Sequence, residues 1–328
     1  MKFQKYFRLI LGMLLATYFM SLIFEKVNLN QIENITVKIK WPWLIMSLLM
    51  LSMAYSFRVQ RWRLMLKLDN PSISWGDCSG PLFASYAINN VLPFRLGDIA
   101  RAYTFKNRLG VDPVRVIATL LVERLFDLLI ILCILLATIY ILHKKTICVF
   151  SVEILASLIL VTAILLILNL PCLFFAVLNY FAQFVAKIFP RIGVSLINFL
   201  NNIFCVLEGI SKSGLMTVLT LWSIIIWIAE GCVFWFVAIG LPGISDSSAS
   251  WIALSVGTLA NLIPSTPGSV GTFDYFVIQS MQSLGNGAAE STAYAFIVHA
   301  LLWFPLTVIG GVYLLIILVD LKKLKVIK

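Results

Sequence analysis

Three groups of ionisable side chains interrupt otherwise apolar sequence. The first is Pro93-Phe94-Arg95-Leu96-Gly97-Asp98-Ile99-Ala100-Arg101. Proline ends a preceding helix, glycine lets backbone approach a ligand, and two guanidinium groups can grip a phosphate with paired donors. Lys106, Arg108 and Arg115 follow, making this the strongest basic cluster in the chain. Such residues also serve as topology determinants that bind bulk anionic lipid. That part suits the later ones well, and Arg95 and Arg101 around the turn less well.

The second group is Val122-Glu123-Arg124-Leu125-Phe126-Asp127, within an apolar run. Glu123 and Asp127 are four apart and share a helix face, and Arg124, three before Asp127, can pair with it. With His143 at the outer edge of the hydrocarbon, Glu123 falls about 30 Å below it, at the inner boundary. Ionisable groups there cost several kcal/mol unless paired and facing the bundle. They are therefore functional candidates, or a structural ion pair anchoring the helix end. The third group is Glu230, Asp274 and His299. Glu230 sits mid-helix with no basic residue beside it in sequence, so it is expected protonated or paired at a distance, in proton coupling or in an interhelical hydrogen bond. Asp274 follows Pro264-Ser265-Thr266-Pro267-Gly268-Ser269-Val270-Gly271-Thr272-Phe273, where proline and glycine break the helix and leave backbone groups able to coordinate a polar ligand. His299 by itself reads as a packed polar residue.

The elements that position these groups lie in a membrane. Of 328 residues, 61% are apolar and 12% charged, and mean hydropathy is +0.98, which excludes a soluble globular protein. At roughly 20 apolar residues per crossing, the length holds six to eight helices and no separate polar catalytic domain. Net charge is +10, but the basic residues sit beside apolar segments, so they point to topology and anionic headgroups and not to nucleic acid. The six cysteines are far apart and read as small apolar side chains in the interior. The basic N-terminus and the run after it form an uncleaved first transmembrane helix.

Full crossings are expected over residues 6–24, 41–57, 114–142, 151–170, 215–240 and 292–319. Two stretches fit less well: 82–94 is short and flanked by charge, and 251–284 is broken by Pro264, Pro267, Gly268 and Gly271. Both read as re-entrant or broken hairpins. Residues 172–214 mix aromatics with Lys187, Arg191, Glu208 and Lys212, and read as helices along the interface. With the N-terminus inside and both hairpins returning to the side they enter from, only Lys26, Lys38, Lys40, Lys144 and Lys145 of the 25 basic residues lie outside. Both termini are then cytoplasmic, in an inner (plasma) membrane.

Asn90-Val91-Leu92-Pro93 recurs as Asn261-Leu262-Ile263-Pro264, 171 residues on, and the same offset carries Gly97 to Gly268. A helix–hairpin–helix unit thus occurs twice, with opposite orientation in the derived topology, as in transporters built of inverted repeats. The expected fold is an all-α polytopic membrane protein with about six full transmembrane helices plus two re-entrant or broken hairpins in inverted-topology repeats. Residues 1–328 form one integral membrane domain, with 41–142 the first repeat, 143–214 a connecting helix and interfacial segment, and 215–319 the second repeat. The sequence has no GxSxG, HExxH, P-loop, GxGxxG or glycosyltransferase-type aspartate pair. No catalytic residue, cofactor or metal site is expected.

The motifs P-x-R-L-G-[DE]-x-x-R, then E-R-x-x-D, then P-x-x-P-G-x-x-G-x-x-[DE], in this order over most of the chain, resemble the lysylphosphatidylglycerol synthase transmembrane region family. That family includes the flippase part of the multiple peptide resistance factor and stand-alone envelope proteins. Pro93, Arg95, Gly97, Asp98 and Arg101 occupy the first motif, Glu123, Arg124 and Asp127 the second, and Pro264, Pro267, Gly268, Gly271 and Asp274 the third. Phe94 and Ser269 replace frequent glycines, and Asp98 and Asp274 the usual glutamates. The departures bear on the substrate more than on the fold. The cytosolic domain that transfers lysine from tRNA has no counterpart, so aminoacyl transfer is not expected.

The resemblance implies a flippase-like transporter of an anionic-headgroup lipid or a polyprenyl-phosphate-type precursor. Arg95, Arg101 and Arg124 would hold the phosphate, with Asn90 and Asn261 at the hairpin turns, and Glu123, Asp127, Glu230 or Asp274 would balance charge or carry protons. The alternative is a non-transporting partner of an envelope glycan or lipid enzyme, docked through Arg58, Arg61 and Arg63, possible also as a homo-oligomer. A membrane-embedded transferase is a third reading.

Overall fold

A computed structural model describes residues 17–23, 29–92, 95–142, 151–169, 171–263 and 266–326. Most of the expected first crossing, with Lys2, Lys5 and Arg8, lies outside the described residues, as do Pro93, Phe94, His143 and Pro264. The described chain is helical, with no strand among the described residues. In hydrocarbon each backbone polar group must find its partner within its own segment, and a helix achieves this. Proline, whose missing N–H is harmless in the first turn, marks several starts: α2 (Trp41–Leu66), α6 (Pro113–Leu142), α8 (Pro171–Ile188) and α9 (Pro190–Lys212). The other long helices are α7 (Ser151–Asn169), α10 (Leu215–Gly240) and α13 (Ala288–Val326); α1 is the short Leu29–Thr36. Among the described residues five helices are long and apolar enough to cross a membrane: Trp41–Leu66, Pro113–Leu142, Pro190–Lys212, Leu215–Gly240 and Ala288–Ile317. The protein is thus an all-α, multi-pass membrane protein.

Residues 172–214 differ from the interfacial reading. They form α8 and α9, which pack against each other, and α9 also packs on α6 and α7. Lys187, Arg191, Glu208 and Lys212 all fall in the end turns of these helices, leaving α9 an apolar middle long enough to cross. Charge counted over the whole segment hides that middle. The cysteines divide: Cys78 is buried, whereas Cys133 and Cys205 lie on outward faces of α6 and α9.

Both irregular stretches are interrupted as expected. In the first, α3 (Trp75–Val91) leads to the short α4 (Leu96–Tyr103), followed by α5 (Lys106–Leu109). Ser74 and Asp77 cap the start of α3 reciprocally, each accepting from the other's backbone N–H at 3.1 Å, and the Ser74 hydroxyl, donating to the same carboxylate at 2.5 Å, with the Ser74 N–H beside it, holds the Asp77 carboxyl below the usual carboxylate range. In the second, α11 (Ala249–Ala260) and α12 (Thr272–Gln282), 12 and 11 residues long, are each too short to cross. They pack on each other as a helical hairpin, and α12 packs on α13. Asn286 closes the base of this hairpin: Oδ1 accepts from the Ser245 and Asp246 N–H groups at 2.9 and 3.0 Å. Its Nδ2 donates to the Asp246 and Met281 carbonyls at 3.0 and 2.9 Å.

Contacts divide the chain into two units. The first holds Met1–Ser56, Gly80–Asp98 and Ile226–Lys328, the second Phe57–Ser79 and Ile99–Ile225. In the first unit α3 and α13 approach closely, as membrane helices do where small residues meet. A Cβ on Gly310 would stand 2.1 Å from the Phe83 carbonyl oxygen, and one on Gly80 2.1 Å from the Tyr313 ring. Gly311, by contrast, has nothing within 4 Å of the same position. Gly310→Ala is expected to destabilise the protein by about 1–3 kcal/mol through overpacking against backbone, while Gly311→Ala leaves it unchanged. Thermal unfolding of the two variants in detergent checks this.

Candidate functional site

In the second unit, charge is concentrated on the neighbouring faces of α2, α4 and α6. Glu123 and Asp127, one turn apart on α6, are 7% and 8% exposed, and Arg61 and Arg101 are 1% and 2% exposed. Arg61 Nη1 donates to Asp127 Oδ1 and to Ser223 Oγ, both at 2.8 Å, and its Nη2 lies 3.8 Å from Glu123 Oε1. Arg101 Nη1 is 3.4 Å from Glu123 Oε2, and its guanidinium carbon is 3.4 Å from the centroid of the Trp62 ring, a cation–π stack. The Trp62 indole N–H donates to Thr119 Oγ1 at 3.1 Å, fixing that ring. Arg124 is half-exposed and reaches Asp127 Oδ2 at 4.0 Å.

The basic residues around this cluster are tied to short loops. Arg115 pairs with Asp69 at 2.6 Å, and burial raises the Asp69 carboxyl while Arg115 opposes the shift. Arg108 donates to the Gly76 carbonyl at 3.0 Å, and Arg63 to that of Ile73 at 2.9 Å.

In the first unit the two interrupted segments meet. Arg95 Nη2 donates to the Asn261 carbonyl at 3.3 Å. Asn90 Nδ2 donates to the Trp303 carbonyl at 3.2 Å and to Thr307 Oγ1 at 2.9 Å, beside Pro305, where a helix loses a backbone hydrogen bond. Asn89 holds the return of the first segment, its Oδ1 accepting from Gly97 N–H at 2.7 Å and its Nδ2 donating to Asp98 Oδ1 at 3.0 Å. A Cβ on Gly97 would stand 2.0 Å from the Ser85 carbonyl, so no other residue fits there. Arg95 and Ser269 hold φ of 50° and 59°, a left-handed conformation that non-glycine residues adopt at a cost of about 1–3 kcal/mol and that clusters at functional sites.

The second turn is tied to α13 through His299. Nε2 lies 2.9 Å from the Gly268 carbonyl oxygen and Nδ1 2.8 Å from Asp274 Oδ1. Asp274 Oδ2 accepts from the Gly271 N–H at 2.9 Å, capping α12. A cavity of about 420 Å³ opens beside the pair, lined further by Met20, Val270, Phe296, Ala300 and Trp303.

The expected site residues therefore fall into two groups. Asn90, Arg95, Gly97, Asp98, Asn261, Pro267, Gly268, Gly271 and Asp274 belong to the first unit, and Arg101, Glu123, Arg124 and Asp127 to the second. Arg95 and Arg101 are not equivalent, because Arg95 is exposed and Arg101 is enclosed by Trp62 and Glu123. Glu230 is buried on α10, 7% exposed. Pro93 and Pro264 lie outside the described residues. The docking surface expected from Arg58, Arg61 and Arg63 is not there: α2 runs nine residues past Phe57, and Arg58 and Arg61 are 5% and 1% exposed within it. Sequence reasoning missed Arg61 for that reason, although its spacing of three from Arg58 is helical. It also passed over His299, whose partners come from 25 and 31 residues away.

The fold and these groups define a multi-pass helical membrane protein with interrupted hairpins and paired charges buried among its helices. A model of the lysylphosphatidylglycerol synthase TM region matches residues 9–310, and the chain belongs to that family. It is 24% identical over 230 residues to UPF0104 membrane protein MJ1078 of Methanocaldococcus jannaschii, covering 70% of this chain and 94% of the relative. It is 26% identical over 266 residues to glycosyltransferase AglD of Haloferax volcanii, covering 72% of this chain but only 42% of that protein.

Removing one member of a buried ion pair leaves its partner's charge uncompensated, at about 3–5 kcal/mol, whereas replacing both with apolar residues of similar volume is near neutral. Asp127→Ala is expected to lose that much, and Arg61→Met/Asp127→Leu to recover most of it. Chemical denaturation followed by Trp fluorescence measures both.

Proposed function

We propose that the protein moves a lipid with an anionic headgroup, or a lipid-linked precursor of the polyprenyl-phosphate type, between the leaflets of the inner (plasma) membrane, and performs no covalent chemistry. Both termini would face the cytoplasm, and the two helix–hairpin–helix segments would act as inverted repeats. The observation that carries this reading is the meeting of two interrupted segments at Arg95 and the Asn261 carbonyl. Irregular backbone at membrane depth is tolerated only where protein buries it or where it lines a wet cavity. Arg95, exposed on a left-handed turn, would receive the phosphate. Arg101, Arg61, Glu123 and Asp127 would hold α2, α4 and α6 in register. Family membership is consistent with a lipid-handling role.

A second reading, a non-transporting partner of an envelope glycan or lipid enzyme, is favoured by the match to part of a protein named as a glycosyltransferase. Reconstitution into vesicles separates them. Leaflet exchange of fluorescent anionic lipids is expected with the purified protein, and Arg95→Ala should slow it by about tenfold or more, the effect of losing charge-assisted hydrogen bonds. No exchange of any anionic or polyprenyl-phosphate lipid, together with stoichiometric copurification of a glycan enzyme, favours the second reading instead.

A further inference from the structure

The hydrogen bonds of His299 fix a proton count. A carbonyl oxygen can only accept, so Nε2, 2.9 Å from the Gly268 oxygen, carries a hydrogen. The 2.8 Å contact between Nδ1 and Asp274 Oδ1 is then a hydrogen bond only if one more proton lies between them. It is either an imidazolium facing a carboxylate or a neutral imidazole facing a carboxylic acid. The pair is net neutral either way, as burial demands, with Asp274 1% exposed. Once that proton leaves, both contacts cannot survive. Either Nδ1 turns a lone pair toward the carboxylate, or, in the other tautomer, Nε2 turns one toward the Gly268 carbonyl.

We infer that His299 and Asp274 together form a proton-binding site, and that the bound proton latches the second interrupted turn to α13. The inference goes beyond lipid movement and does not depend on it. The turn held this way carries one strained residue, Ser269 at φ 59°, next to Gly268, which takes φ of 69° without cost, and Asp274 also holds the Gly271 N–H. The Phe273 ring, 5.0 Å from that of His299, fixes the imidazole edge-on.

The groups packed around the pair carry little competing charge. Along the cavity wall Met20, Val270, Phe296, Ala300 and Trp303 are neutral. Besides Asp274, α12 brings Tyr275, which stacks on Phe19, and α1, packed on α13, brings the exposed Glu33. From the end of α3 comes the neutral Asn90, and the following turn's Arg95 is directed to the Asn261 carbonyl. α10, joined to α13 by the Tyr294 hydroxyl on the Phe234 carbonyl, brings Glu230 one turn earlier. The charge that His299 meets is that of Asp274. The latch holds at low pH and opens as pH rises past the loss of the shared proton. The adjacent cavity gives that proton a place to arrive and leave.

Hydrogen–deuterium exchange of the full-length protein in lipid nanodiscs, corrected for intrinsic rates, tests this over about pH 5 to 9. Exchange of the amides in residues 266–275 is expected to rise with pH by about tenfold or more, the effect of losing a buried hydrogen bond. The amides around Asn286 should stay constant and report an intact fold. In Asp274→Asn the amide donates to Nδ1 and the carbonyl keeps the Gly271 N–H, so protection should persist without pH dependence. His299→Ala should exchange fast throughout, and Glu230→Gln should keep the wild-type profile. A flat wild-type profile overturns the proposal. So does a rising profile in Asp274→Asn, or loss of the pH dependence in Glu230→Gln. If Asp274→Asn does not fold, the wild-type and Glu230→Gln profiles decide.

Discussion

Inside a bilayer, water is not there to complete the hydrogen bonds of a broken helix or to solvate a charge, and this constraint governs the charges and broken helices buried in the protein. Where α6 carries Glu123 and Asp127, α2 and α4 supply Arg61 and Arg101, and Ser223 and Trp62 take up what the carboxylates leave. Where the chain leaves helical geometry before Leu96 and after Ala260, an amide and an imidazole serve backbone groups: Asn89 serves the Gly97 N–H and His299 the Gly268 carbonyl. The same chemical rule thus shapes the charged and the neutral interruptions.

The two kinds of interruption differ in what they permit. The arginine–carboxylate cluster is enclosed, and its energetics are those of a fixed core, with a desolvation cost that Coulomb attraction offsets only while every member is present. The hairpin turns are more open: Arg95, Leu92 and Val270 are exposed, and a cavity lies beside the second turn. Enclosed charge on α2, α4 and α6 and strained, partly open turns at the two interrupted segments are thus two different devices within one fold.

Much of the fold was legible from hydropathy alone. Helices starting near residues 41, 114, 151, 215 and 292 and the two interrupted stretches follow directly from where apolar residues run without a break and where proline and glycine intrude. Three features were not legible. The end of α2 was hidden because Arg58 and Arg61 look like loop residues until their carboxylate partners, more than 60 positions away, are in place. The span-length character of α9 was hidden because charge averaged over 172–214 conceals its placement at helix ends. The part played by His299 was hidden because a lone histidine gains meaning only from a carbonyl and a carboxylate that the turn brings to it. Local pattern locates elements well, but pairings across long separations stay invisible to it.

Asn286 adds a mechanical consequence. Its side chain clasps the Ser245–Asp246 backbone and the Met281 carbonyl with four hydrogen bonds, at the end of the α11–α12 hairpin remote from the Pro267–Ser269 turn. The two ends of the hairpin are thereby closed on each other by one side chain, so a change at position 286 would loosen both at once.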